Sequence, residues 1–174
     1  MAHFTTTYKF AILILAGLLI FLSDFFELVN PLANEIILFA VSIFKATYFT
    51  RFVFGQIKET AHREFDFHEF ISFVVVSILL VIISYSSDYY CLYRIDPNAF
   101  SGLISMSNIG TEFITFFYYS ISVFTTAGFG DIRPTSTTAQ IFVSTELMIG
   151  YFFTILVFAN ILLIRESFNR KNIK

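Results

Sequence analysis

The sequence predicts an all-α membrane protein in which four helices cross the bilayer and a shorter apolar segment dips in and returns between the last two. Three observations predict it. Hydrophobic residues make up 56% of the 174-residue chain and charged residues only 14%, with a mean hydropathy of +0.74. A soluble domain carries about 25% charged residues, so this chain lacks the polar surface to face water all round. Apolar runs recur at lengths that suit the hydrocarbon core, which takes about 20 helical residues to cross. Finally, glycines interrupt the region after the fourth apolar run, where irregular backbone must either pack in protein or line water.

The first span is Tyr8 to Phe26, with an apolar centre from Phe10 to Leu22. It has no signal-peptide cleavage pattern and is followed by Asp24 and Glu27, so it reads as a retained anchor. Leu32 to Ile57 is the second span, interrupted by Lys45 and Arg51, with Pro31 just ahead where a proline does least harm. Phe70 to Tyr85, rich in Val and Ile, is the third. Ala139 to Ile164 is the last and is long enough to cross with tilt. Thr111 to Thr125 is apolar but too short to cross, and the glycine-containing loop after it gives the pattern of a re-entrant segment. The chain therefore divides into residues 1–69 (two N-terminal spans and a cytoplasmic linker), 70–165 (outer helix, re-entrant helix, loop and inner helix) and a short tail, 166–174.

Charge sets the orientation. With the N-terminus in the cytoplasm, Lys9, Lys58, Arg63, Arg165, Arg170, Lys171 and Lys174 lie inside, and Arg94 and Arg133 lie outside. That bias obeys the positive-inside rule, and the reversed arrangement breaks it. Both termini are then cytoplasmic, and the re-entrant segment opens to the outside. The net charge is −2 with no long basic run, so nucleic acid is not an expected partner. Cys91, the single cysteine, excludes an intrachain disulfide framework and reads as an apolar thiol or an intermolecular bridge. No phosphate-binding glycine loop, ligand-spaced Cys/His cluster or nucleophile with a paired base occurs. An enzyme and an organic cofactor are therefore not expected. The ten residues after Ile164 are too few for a regulatory domain.

The loop reads Thr125-Thr126-Ala127-Gly128-Phe129-Gly130-Asp131-Ile132-Arg133-Pro134. Here the sequence resembles the tetrameric potassium-channel superfamily, whose filter is T-V-G-Y-G, often with Ile for Val and Phe for Tyr. The preceding Thr125, the following Asp131 and Pro134, an aromatic-rich helix ahead of the loop and Gly150 partway along the inner helix belong to the same pattern. The resemblance covers about residues 70–165. It implies a cation channel, a homotetramer in lipid around one ion path, with K⁺ held by Thr126, Ala127, Gly128 and Phe129 and the filter closed by Gly130. Backbone carbonyls would replace the ion's water shell, and glycines tolerate the positive φ such a loop needs. Two departures are Ala127, where a larger Val or Ile is usual, and Phe129, which lacks a tethering hydroxyl. They leave a non-selective monovalent cation channel open as an alternative. A transporter or assembly subunit retaining a pore-like loop is the alternative from another class, although transporters of this lineage repeat the motif within one chain.

The resemblance aligns the usual tryptophan pair of the pore helix with Tyr118 and Tyr119. It suggests that the Tyr118 hydroxyl bonds Asp131 and holds the filter from behind; simple aromatic packing at the outer interface is the other reading. Ser122 stands where some members carry a carboxylate, and with Thr125 it completes the expected support. On the inner helix Gly150 is the expected gating hinge. Steps of three or four residues place Thr154, Phe158 and Leu162 on its cavity-lining face, the last two as an apolar constriction or as ordinary packing. Glu146 is an intramembrane carboxylate and so a functional candidate, either behind the filter or at the outer interface.

Lys45 and Arg51 lie six positions apart and do not share a helical face, unlike the cations of a voltage sensor; Lys45 is expected to pair and Arg51 to snorkel. Gln56 to Glu69 reads as an interfacial helix, with His62 and His68 in a solvated loop rather than a metal site. Asp88, Asp96, Glu112 and Asp131 are expected to make the outer face acidic. The short loops and lack of Trp suit a cell-membrane protein of microbial origin.

Overall fold

The computed structural model describes residues 31–60, 67–103 and 108–171. The expected first span, Tyr8 to Phe26, and His62 lie outside the described residues, as does the side chain of His68. Among the described residues, four helices and a short strand pair follow in the order α1 (Pro31–Thr60), α2 (Phe67–Ile95), β1 (Phe100–Ser101), α3 (Ile109–Phe124), β2 (Arg133–Pro134) and α4 (Thr137–Lys171). Pro31 is the first residue of α1, where its missing N–H costs nothing. Among the described residues, Val74–Ile95 of α2 and Thr137–Ile155 of α4 are long and apolar enough to cross a membrane.

The outer helix is longer than hydropathy indicated. The polar run Ser86-Ser87-Asp88 marks its end by composition, yet α2 continues to Ile95. Ser86 and Ser87 donate their hydroxyls to the carbonyls of Ile82 and Ile83 within the helix, at 2.6 and 3.0 Å. Asp88 is fully buried, ion-paired to Lys45 of α1 and accepting a second bond from Ser42 Oγ at 3.1 Å. It is therefore not part of an acidic outer rim. At the far end α4 also overruns the expected span, so residues 166–171 extend the helix rather than starting a tail.

α2 lies at the centre, packed on α3, α1 and α4. In a chain with no Trp, Tyr and Phe rings fill the junction of α2, α3 and β1. Tyr89 meets Phe100 edge-on at 5.7 Å and Tyr119 at 5.2 Å, and Phe100 meets Phe116 at 5.4 Å. Edge-to-face rings add to the energy of burial because ring edges and faces carry opposite partial charge. α1 is seated on α4 by two stacked pairs, Phe39 on Phe142 and Phe49 on Phe153.

The strand pair is antiparallel, with Phe100 opposite Pro134 and Ser101 opposite Arg133. Thr135 N–H donates to the Ala99 carbonyl at 2.8 Å, and the Thr135 hydroxyl donates to the Asn98 carbonyl. This strap holds the segment leaving the glycine loop against the loop that follows α2. Gly102 lies so close to it that a Cβ there would sit 1.8 Å from the Asp131 carbonyl oxygen.

Removing one partner of the buried Lys45–Asp88 pair leaves an uncompensated charge. Lys45→Met is expected to lower thermal stability in detergent by about 3–5 kcal/mol. The double variant Lys45→Met/Asp88→Leu should recover most of that loss in the same melting measurement.

Candidate functional site

The site begins with α3. Asn108 caps it in extended conformation, its side-chain oxygen accepting from Thr111 N–H at 2.9 Å, and Glu112 sits in the first turn where the helix dipole favours an acid. The other end is capped by the loop itself. Thr125 donates its hydroxyl to the Ile121 carbonyl at 2.7 Å. Thr126 N–H donates to the Val123 carbonyl at 2.9 Å, and Ala127 and Gly128 N–H both donate to the Ser122 carbonyl, at 2.9 and 3.3 Å. The last carbonyls of a helix normally lack partners. Here they take up the loop's N–H groups, while among the described residues no hydrogen bond reaches the carbonyl oxygens of Thr126, Ala127, Gly128 or Phe129.

Every second residue of the loop is left-handed: Thr126 at φ 58°, Gly128 at 56° and Gly130 at 76°. In a regular strand neighbouring carbonyls point to opposite sides. A left-handed residue at alternate positions turns alternate peptide planes over and lets successive carbonyls share a side. A Cβ at Gly128 or Gly130 would meet nothing within 4 Å, so it is dihedral freedom and not crowding that calls for glycine. Thr126 adopts the same region despite its branched Cβ, and such strain collects at functional positions.

Beyond the loop, the Tyr118 hydroxyl donates to Asp131 Oδ2 at 2.8 Å, and Ile132 N–H donates to Oδ1 at 3.0 Å. These bonds favour the ionised form and hold the Asp131 carboxyl below the usual carboxylate range. The Phe129 ring stacks on Tyr118 at 6.1 Å with the planes 5° apart. Tyr119 is buried in the aromatic junction instead, so the two adjacent tyrosines face different surroundings. The buried Ser122 touches the loop through its backbone carbonyl. A contact that the sequence did not suggest is made by Arg133, whose Nε donates to the Gly130 carbonyl at 2.8 Å.

On α4, Gly150 is buried against the end of α3. A Cβ there would lie 2.5 Å from the Phe124 carbonyl oxygen, so the residue permits close approach of two helices. The helix continues through it. Thr154 donates its hydroxyl back to the Gly150 carbonyl at 2.9 Å, and Phe158 is 65% exposed. Steps of four drift by about 40° per turn, which carries Phe158 off the face that Gly150 presents to α3. The side chain of Leu162 lies outside the described residues. Glu146, one turn before Gly150, is fully buried between Tyr89 and Ser120. The sequence left both a buried place and one at the outer interface open; the structure buries it, with partners the sequence did not suggest.

Two outcomes are expected. Gly150→Ala forces the α3–α4 backbones apart and should cost about 1–3 kcal/mol in thermal stability, the range for overpacking. Because the Asp131 pKa is lowered in the folded state, its contact with Tyr118 persists through the usual carboxylate range, near pH 3.9, and is lost only as pH falls further. A carboxyl-carbon NMR titration should give Asp131 a midpoint below that of a free aspartate, and Tyr118→Phe should move it back up.

The match to known families covers these same elements. Residues 78–164, half of the chain, match the ion channel family, while no curated protein matches the chain. That stretch holds most of α2, all of α3, the alternating-φ loop and α4 down to Ile164. The chain belongs to the ion channel family and is a non-enzymatic membrane protein.

Proposed function

We propose that the chain is a potassium-selective channel subunit whose filter is Thr126 to Gly130. The observation that carries this reading is the alternation of left-handed residues at Thr126, Gly128 and Gly130, with the N–H groups of Thr126, Ala127 and Gly128 already engaged on α3. The carbonyls of Thr126, Ala127, Gly128 and Phe129 are then left to stand in for the water shell of K⁺, the only ligand the site requires. Tyr118, Ser122, Thr125 and Asp131 support the loop from behind.

Four copies surround one path. The exposure of residues 125–131 in a single subunit supports this, as do the apolar side chains Ile114, Ile121, Met148, Tyr151 and Phe152 left exposed on α3 and α4. The contacts 120–146 and 124–150 advance together, so α3 and α4 run side by side in the same direction. This suits a re-entrant helix that enters from the side on which α4 begins. With the cytoplasmic side assigned by Lys and Arg, both termini are inside, the loop faces out, and the subunit crosses the cell membrane four times. Gly150 serves as hinge, Thr154 wets the cavity, and Phe158 and Leu162 form its apolar gate.

A non-selective monovalent cation channel is the second reading. Arg133 on the Gly130 carbonyl favours it, because that oxygen is engaged by a cationic side chain.

Purified protein in liposomes should pass K⁺ and not Na⁺, with Ba²⁺ blocking the flux and Gly128→Ala abolishing it. Equal K⁺ and Na⁺ flux selects the second reading. Absence of flux under both gradients, in vesicles shown to contain assembled protein, counts against conduction by this loop.

A further inference from the structure

Among the described residues, Glu146 is the one carboxylate at which three helices of the channel module meet. It stands on α4 and is fully buried. The Tyr89 hydroxyl of α2 donates to Oε2 at 2.5 Å, and Ser120 Oγ of α3 lies 2.5 Å from Oε1. Ser120 Oγ also lies 3.0 Å from the Ile82 carbonyl of α2. No described basic side chain pairs with Glu146, and the buried Lys45 is taken by Asp88. Such a group in an apolar setting is costly to hold, which makes it a functional candidate.

Its position relative to the loop supplies one. Ser120 precedes by two residues the Ser122 carbonyl that accepts the N–H groups of Ala127 and Gly128. One turn below, Gly150 of the same inner helix backs the Phe124 carbonyl at the end of α3. The 120–146 and 124–150 contacts are therefore two rungs between the helices, one polar and directional, one steric. A steric rung limits approach. Only the hydrogen-bonded rung fixes how far α3 slides or turns on α4, and with it the height of the Ser122 carbonyl under the loop. We propose that Glu146 is a positioning residue for the selectivity filter, acting through Ser120 and braced by Tyr89. This rests on the reading of residues 126–130 as the filter.

Three variants separate this role from mere stability. Glu146→Leu keeps roughly the volume and removes the hydrogen bonds. Glu146→Gln keeps them, because the amide oxygen accepts from Tyr89 and the amide N–H donates to Ser120 Oγ, whose proton then serves the Ile82 carbonyl. Ser120→Ala removes a single oxygen and should fold even where Glu146→Leu does not. In liposomes the K⁺/Na⁺ flux ratio of Glu146→Leu and of Ser120→Ala should fall by on the order of tenfold, the effect of a buried hydrogen bond. Glu146→Gln should stay near the parent ratio, and the Leu/Ala double variant should be no worse than either single. A parallel measurement of tetramer melting with K⁺ against Na⁺ should show the K⁺-specific stabilisation shrink in the same two variants. Assembled Ser120→Ala or Glu146→Leu protein with parental flux ratio and parental K⁺ stabilisation overturns the proposal, as does Glu146→Gln behaving like Leu. A parent protein that distinguishes K⁺ from Na⁺ in neither measurement overturns the filter reading instead, and the proposal with it.

Discussion

The backbone carbonyl of Ser122 accepts the N–H groups of both Ala127 and Gly128, so the glycine loop starts as the cap of the helix before it. A helix that ends inside an apolar protein must find partners for its last carbonyls. The loop that follows must find partners for its own N–H groups. Each segment solves the other's problem. Left-handed residues at Thr126, Gly128 and Gly130 accompany this return onto α3, and among the described residues no hydrogen bond reaches the carbonyls of residues 126–129.

The surroundings hold α3 in place so that this cap has a fixed height. Asn108 anchors its start, the ring cluster of Tyr89, Phe100 and Phe116 packs its flank, and α4 touches it at Ser120 and Phe124. Beyond the glycines, Tyr118 bonds Asp131, and the β1–β2 strap ties the loop's exit to the segment after α2. The loop is thus restrained from its helix, from behind and at its exit, while residues 125–131 stay exposed.

Polar groups buried between apolar helices do the remaining alignment. Lys45 with Asp88 seats α1 on α2, and Tyr89, the next residue, reaches Glu146 on α4. The family match begins at residue 78 and so does not include α1. The ion pair shows how that extra helix is nonetheless built into the channel module. Lys45 and Arg51 have different surroundings, one buried in an ion pair and the other exposed.

The sequence alone determined the mostly helical class, the short apolar helix ahead of the loop and the loop with its glycines, because hydropathy and dihedral preference belong to a residue and its near neighbours. The Tyr118–Asp131 contact was also legible, since it spans a single helix-to-loop return. What only the tertiary structure decided were the pairings between distant helices. Asp88, assigned by composition to an exposed rim, is buried because Lys45 reaches it across 43 positions; Glu146 is held by Tyr89 and Ser120 across 57 and 26. Gly150, expected as a hinge, lies within an unbroken helix where two backbones approach closely. Such contacts depend on the register at which helices pack, and in an apolar chain many registers bury the same hydrophobic surface. The few polar side chains choose among them, and their partners become visible only once the helices are side by side.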